Sequence, residues 1–255
     1  MNLQLLKTLC MMSQHQLFDY LSYYLTLEYD KKQIIISPEK QWILAIGDIP
    51  IMLCAHLDTV HEDLPSVIYT DIEQKIMWSP FGLGADDRAG VYGILSLITN
   101  RKNHPTILFT ADEEVGCLGV RDFLENYPKA PIDLKMIIQL DRQGHDESVY
   151  YLCDNKEFEE WINSFGFQTA VGTYTDISYL CPKWNIAGVN LSVGYYLEHT
   201  KLEFLNYNEL QDTIAKIDEI LCNHSKTDNF IYIRKSSSYV PGEGILKLLD
   251  LYKKI

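Results

Sequence analysis

The stretch TILFTADEEVGCLG, Thr106 to Gly119, decides how the chain folds. TILFTA (106–111) is a continuous apolar run, the mark of a strand covered on both faces. A helix is predicted to follow, from about Val115 to Asn126. Between strand and helix lie Asp112, Glu113 and Glu114, three acids side by side against an apolar segment. Like charges that close repel, so a fold that keeps them there must compensate the charge.

The pattern recurs outward from this stretch. IPIMLCA (49–55) is an apolar run ending at His56, and DLKMIIQL (133–140) is another ending at Asp141. QIIIS and QWILAIG read as short strands joined by a turn at Pro38–Lys40, and SVIYTD and KIMWS as a hairpin around IEQ. Helical spacing covers residues 1–27, the stretch from Ala89 to Thr99 after GLGADDRAG, and 206–223, where Leu210, Ile214, Ile217 and Leu221 share a face. A strand near 148–152, helices near 155–164 and 176–181, and a strand at 186–191 complete the reading. Strands alternating with helices make an α/β fold: a three-layer sandwich in which helices flank a mixed, mostly parallel central sheet.

Composition narrows the class of function. The 255 residues carry a net charge of −13, which excludes a general affinity for nucleic acid or an anionic membrane. The N-terminus is too mixed for a secretory signal, and no run approaches the roughly eighteen apolar residues of a membrane span. The six cysteines are scattered with no CxxC pair and most lie in apolar segments, which predicts that most are buried free thiols and suggests a reducing compartment, most simply the cytoplasm. We expect one catalytic domain over residues 1–225. We expect residues 226–255 to form a C-terminal extension whose ILKLLDLYKKI is a short amphipathic helix docked on the core.

Chemistry-bearing residues collect at strand ends. His56 and Asp58 follow one buried strand, Glu113 and Glu114 a second, and Asp141 a third. In open α/β sheets sites form at the carboxyl ends of the strands. Asp86 and Asp87 open the helix after the glycine-rich turn, and His199 lies in the loop after the strand at 186–191. Each has an ordinary reading alone: a hydrogen-bonded His-x-Asp pair, an Asp-Asp helix cap, a solvated Glu-Glu first turn. Together, at one sheet edge and all of metal-ligating type, they are explained by a shared metal centre.

AHLDTV, GADDRAG, FTADEEVG, LDR and EHT span residues 55–200, and their order and wording resemble the co-catalytic zinc exopeptidases, the clan of the M20, M28 and M42 peptidases. The resemblance implies two Zn²⁺ ions, for which Co²⁺ or Mn²⁺ can stand in. It makes His56 and Asp141 ligands of the first metal, Glu114 and His199 ligands of the second, and Asp86 the bridge between them. It makes Glu113 the general base and Asp58 the residue that orients the His56 ring. It also implies a cis peptide bond between Asp86 and Asp87. Two Zn²⁺ would offset the charge of Asp86, Glu114 and Asp141, which answers the clustering of acids.

Only 58 residues separate Asp141 from His199, and 30 separate His56 from Asp86, so neither gap holds an inserted lid domain. The plan is the compact one of M28 aminopeptidases, whereas DDRAG and FTADEEVG lean toward M20 and M42; the subfamily stays open. The implied activity is hydrolysis of a peptide, aminoacyl-amide or acyl-amide substrate, foremost as an aminopeptidase, with the oligomeric state open. A single-zinc cyclase or acyltransferase and a catalytically inactive binding module are the alternatives. Tyr195 or Tyr196 is a candidate oxyanion donor, and Asp176 a candidate for the substrate pocket.

Overall fold

The computed structural model describes residues 1–99 and 101–235. Its centre is an eight-stranded sheet formed by β1 (Ile34–Ile36), β2 (Trp42–Ala45), β3 (Ile49–His56), β6 (Pro105–Thr110), β7 (Met136–Arg142), β8 (Glu147–Val149), β9 (Gln168–Thr169) and β10 (Gly188–Ser192). The spatial order is β1-β2-β6-β3-β7-β10-β8-β9. The four middle strands β6, β3, β7 and β10 run parallel, as continuous apolar runs buried on both faces require.

Residue alternation along the strands divides the core into two layers. Ile51, Leu53 and Ala55 of β3 face helices α1 (Leu3–Cys10), α2 (Gln14–Glu28), α3 (Ala85–Ile98) and α7 (Tyr207–Asn223). Met52 and Cys54 face α4 (Leu118–Asn126) and α6 (Ile177–Trp184), through Val120, Phe123, Ile177 and Leu180. Each fully buried leucine or isoleucine contributes about 1.5–3 kcal/mol. The observed architecture is thus a helix–sheet–helix sandwich with a mixed, mostly parallel sheet. The predicted elements lie where expected, with local differences. The N-terminal helical stretch is two helices, because Ser13 caps α2 in a reciprocal capping box with Gln16. The helix expected from Val115 begins at Leu118, after a turn through Gly116.

A second, antiparallel sheet has the order β11-β12-β5-β4. It contains the expected hairpin β4 (Tyr69–Asp71) and β5 (Ile76–Trp78), joined by β11 (Tyr195–Tyr196) and β12 (Phe204–Asn206). The loop between β11 and β12 carries His199.

Parallel register brings the strand ends level. His56 pairs with Thr110 across β3 and β6, and Cys54 pairs with Gln139 across β3 and β7, so Asp141 lies level with His56. Gly90 lets the start of α3 press onto β7, since a Cβ there would sit 1.9 Å from the Leu140 carbonyl oxygen. Residues 230–235 run along the core: Phe230 N donates to Lys135 O (2.9 Å), Ala187 N to Phe230 O (2.8 Å) and Lys235 N to Leu152 O (2.8 Å). The expected helix ILKLLDLYKKI lies outside the described residues. No helix among the described residues is long and apolar enough to cross a membrane. All six cysteines are unpaired; Cys10, Cys54, Cys117 and Cys181 are buried, as expected, whereas Cys153 is half-buried and Cys222 exposed.

Candidate active site

His56 is the last residue of β3 and is buried at the carboxyl edge of the sheet. Its Nδ1 donates to Asp58 Oδ1 (3.1 Å), and its Nε2 lies 3.1 Å from Asp86 Oδ1 and 3.4 Å from Asp141 Oδ1. On the other side of Asp86, His199 Nε2 lies 3.3 Å from Asp86 Oδ2 and 3.1 Å from Glu114 Oε2. The two oxygens of one carboxylate therefore face two different imidazoles. Two groups result, His56–Asp86–Asp141 and Asp86–Glu114–His199, and in each the ligand atoms lie within 4.8 Å of one another. The Asp86–Asp87 peptide bond is cis.

Asp58 does more than orient the His56 ring. Its Oδ1 accepts from Glu113 N and its Oδ2 from Glu114 N, both at 2.9 Å. One carboxylate thus fixes the imidazole and the backbone of the Glu-Glu pair, which aims Glu114 at His199. Glu113 has a weaker tie, a contact of 3.5 Å from Cys117 Sγ.

Asp141 is held from three directions. Asn190 Oδ1 accepts from Asp141 N (2.9 Å) while Asn190 Nδ2 donates to Asp141 O (2.7 Å). Thr175 Oγ1 donates to Asp141 Oδ2 (2.7 Å), and Tyr195 OH to Oδ1 (3.3 Å). Tyr195 therefore lines the site, whereas Tyr196 turns away to Glu209 (2.5 Å). Asp176 is fully buried beside the site, accepts from Thr110 Oγ1, and does not line the pocket.

Burial at the sheet edge sets the electrostatics. It pushes Glu113 up to about 8, and burial together with the Asp86 charge pushes Glu114 up to about 7. Burial raises Asp141 as well. Burial also opposes ionisation of Asp86, but the bonds from His199 and His56 outweigh it and hold that carboxyl well below the usual range. The hydrogen bond to Asp86 carries His199 to about 9. For His56, burial acts downward, yet Asp141, Asp58 and Asp86 outweigh it and raise the imidazole well above its ordinary value. Acids outnumber bases here, and buried Glu114 Oε1 has no hydrogen-bond partner among the described residues. Imidazole nitrogen and carboxylate oxygen in groups of three suit a divalent cation, which would satisfy that orphan oxygen. The residues fit a metal centre.

Glu203 was not among the residues singled out in the sequence. It is buried, and it accepts from Gly84 N (2.7 Å), Asp86 N (2.9 Å) and His61 Nε2 (2.9 Å). It ties the turn that presents Asp86 to the strand that follows the His199 loop. Standing between Leu202 and Phe204, it reads in sequence as an ordinary solvent-facing strand residue. Nor does Arg88 announce itself: it is fully buried and donates to the carbonyls of Asp58 and Met12, bracing the loop after β3.

With this geometry in hand, the relatives are informative. The chain is similar to the "Probable carboxypeptidase" of Emericella nidulans, at 40% identity over 83 residues, covering 30% of this chain and 19% of that protein. It is similar to Peptidase T of Clostridium novyi (strain NT), at 34% identity over 95 residues, covering 34% of this chain and 20% of that protein. The chain thus aligns with about a fifth of the length of these curated relatives. Its fold is similar to that of the aminopeptidase PepT from Bacillus cereus ATCC 10987, with a TM-score of 0.69 at 15% identity over 88% of this chain and 98% of that one. The sequence profile of peptidase family M28 matches residues 43–248, which include both groups of candidate metal ligands and Glu113. That match extends over most of the chain, and on it the protein belongs to peptidase family M28.

Proposed function

We propose that the protein is a di-zinc hydrolase that cleaves a peptide or related amide bond, acting as an aminopeptidase. The observation that carries this reading is the division of Asp86, whose two oxygens face two separate histidine–carboxylate groups. On this reading His56 and Asp141 hold one ion, Glu114 and His199 the other, and Asp86 both; Co²⁺ or Mn²⁺ can take the same places. When bound, such ions lower the pKa of water and polarise the scissile carbonyl.

The chain's own residues then have separable tasks. Glu113 takes a proton from the attacking water on a carboxylate oxygen and returns it to the leaving amine. Its freedom from both histidines supports this role, because a base must reach water rather than a ligand. Asp58 positions His56 through Nδ1 and positions Glu113 and Glu114 through their backbone N–H groups. Tyr195 lines the pocket, and its hydroxyl, which has a single proton, would have to leave its long 3.3 Å bond to Asp141 to donate to the oxyanion. The pocket, about 130 Å³, is lined by acids, and Glu198 among them makes no ion pair among the described residues. With Asp86, Glu114 and Asp141 given to the metals and Glu113 to the water, Glu198 is the lining carboxylate left to meet a substrate's cationic amine, which supports an aminopeptidase rather than a carboxypeptidase.

On this reading residues 1–225 form the catalytic domain and 226–255 an extension of it, and the unpaired cysteines support a cytoplasmic setting. The test is metal analysis of the purified chain together with a screen of aminoacyl-amide, N-acyl and dipeptide substrates. Two equivalents of zinc and turnover of aminoacyl amides are expected. One equivalent would favour the cyclase alternative. Absence of both metal and turnover would leave a binding module.

A further inference from the structure

The acidic pocket does not end at its own wall. A second cavity, about 400 Å³, shares Tyr151, Thr173 and Tyr174 with it and continues past them toward Pro182, Tyr232 and Arg234. The shared wall is a built feature. Tyr151 (φ 41°) and Leu152 (φ 65°) are consecutive non-glycine residues in the left-handed region, a conformation that persists only where the surroundings hold it. Tyr151 OH accepts from Asn190 Nδ2 (3.0 Å), the same amide that grips Asp141. From the opposite side Thr175 ties the 172–175 loop to Asp141. Gly172 lets that loop lie close to β8 and the tyrosine, since a Cβ there would stand 2.8 Å from Val149 Cγ1 and 3.2 Å from the Tyr151 ring. Both sides of the passage are therefore anchored to one proposed metal ligand.

The two cavities differ in charge. The first is walled by carboxylates, and its one arginine, Arg142, is occupied by Glu147 at 2.7–2.9 Å. The second has aromatic and neutral polar walls, and Arg234 is its sole charged lining residue. Among the described residues no carboxylate pairs with Arg234. In a chain of net charge −13, an exposed guanidinium with no carboxylate partner among the described residues, at the far end of an aromatic passage, is a directional signal.

We propose that the cavity ending at Arg234 receives a carboxylate of the substrate, so that this hydrolase prefers substrates bearing a negative charge beyond the bond cleaved. The proposal rests on reading the acidic pocket as the peptide-hydrolysing site. Two sources offer the same chemistry: the C-terminal carboxylate of a short peptide, or an acidic side chain.

The experiment uses the full, zinc-loaded chain with tri-alanine, tri-alanine amide, alanyl-alanine amide and alanyl-glutamate α-amide, whose acidic side chain lies beyond the bond cleaved. The expected result is a kcat/KM about tenfold higher, carried by KM, for a substrate with the carboxylate. A gap between tri-alanine and its amide identifies the C-terminus, and a gap between alanyl-alanine amide and alanyl-glutamate α-amide identifies the side chain. In Arg234→Gln the ratio should fall to about one, and Arg234→Lys should keep part of it. Thermal denaturation checks that both variants are folded. Binding of tri-alanine and its amide to Glu113→Gln, measured by calorimetry, gives a readout independent of turnover. If wild type ignores the carboxylate, or if Arg234→Gln keeps the preference, the proposal is overturned while the hydrolase reading stands. If tri-alanine binds in an Arg234-dependent way but nothing is cleaved, the cavity stands and the hydrolase reading falls.

Discussion

Replacing Glu113 with glutamine should suppress turnover and, in the same molecule, strengthen the metal-free fold. Burial carries this carboxyl from an ordinary value of 4.5 to about 8, and its one side-chain hydrogen bond among the described residues is the weak one from the Cys117 thiol. An acid with a raised folded pKa keeps its proton in the native state after the unfolded chain has lost it. The native state binds more protons across that window, so its stability falls as pH rises. The contribution is fully present below pH 4.5 and is lost as pH climbs through about 8. At about 1.4 kcal/mol per tenfold change in proton affinity, the loss comes to about 5 kcal/mol. Glutamine has no such proton to lose. Its amide, left without a partner, costs about 1–3 kcal/mol, so the net gain at high pH is about 2–4 kcal/mol. Urea denaturation in chelator at pH 4.5 and pH 8.5 should therefore show Glu113→Gln no more stable than wild type at the lower pH and clearly more stable at the higher. With zinc restored, hydrolysis of any cleaved amide should fall by roughly two to four orders of magnitude, as when a positioned base is lost. A variant whose stability tracks wild type at both pH values would refute the buried-acid reasoning. One that turns over within tenfold of wild type would refute the base.

Zinc at about a hundred times its Kd should stabilise wild type by about 2.7 kcal/mol in thermal denaturation, and Glu114→Gln should weaken zinc affinity by about tenfold or more while Glu113→Gln leaves it near wild type. Glu203→Ala strands the N–H groups of Gly84 and Asp86 in a buried turn; at about 1–3 kcal/mol each, denaturation should show a loss of about 2–6 kcal/mol, with a smaller loss for Glu203→Gln. Gly90→Ala drives a Cβ into the Leu140 carbonyl, so it should destabilise the fold by about 1–3 kcal/mol and lower zinc affinity by displacing Asp141, measurable as a reduced zinc-induced rise in Tm.

Much of this protein was legible from residue order. The buried strands announce themselves as unbroken apolar runs, because a strand covered on both faces has no polar side to show. A chain of such runs separated by helical periods has few topologies open to it, so the sandwich and the edge bearing His56, Glu113, Glu114 and Asp141 follow from local pattern. The break between α1 and α2 was missed because helical spacing continues across it, while the Ser13–Gln16 cap that ends the continuity is a short-range polar signal within an apolar one. The second sheet was half visible. The hairpin of β4 and β5 is local, but β11 and β12 join it from about 120 residues away, and strands of two or three residues carry too little periodicity to read.

Tertiary structure alone decided the finer geometry of the site. Sequence places Glu203 between two apolar neighbours, where any charged residue would look solvent-facing; folding buries it against the Asp86 turn. Sequence sets Asp58 two residues from His56, yet its grip on the Glu113 and Glu114 N–H groups depends on the parallel register of β3 with β6. The passage from the acidic pocket to Arg234 joins residues 151, 173–174 and 232–234, segments with no common motif. The physical reason is one of range. Strands, helices and the charges at their ends are set by interactions among near neighbours, which periodicity records. Which oxygen faces which imidazole, and which cation closes which cavity, depend on contacts between segments far apart in the chain, and these exist only once the sheet has assembled.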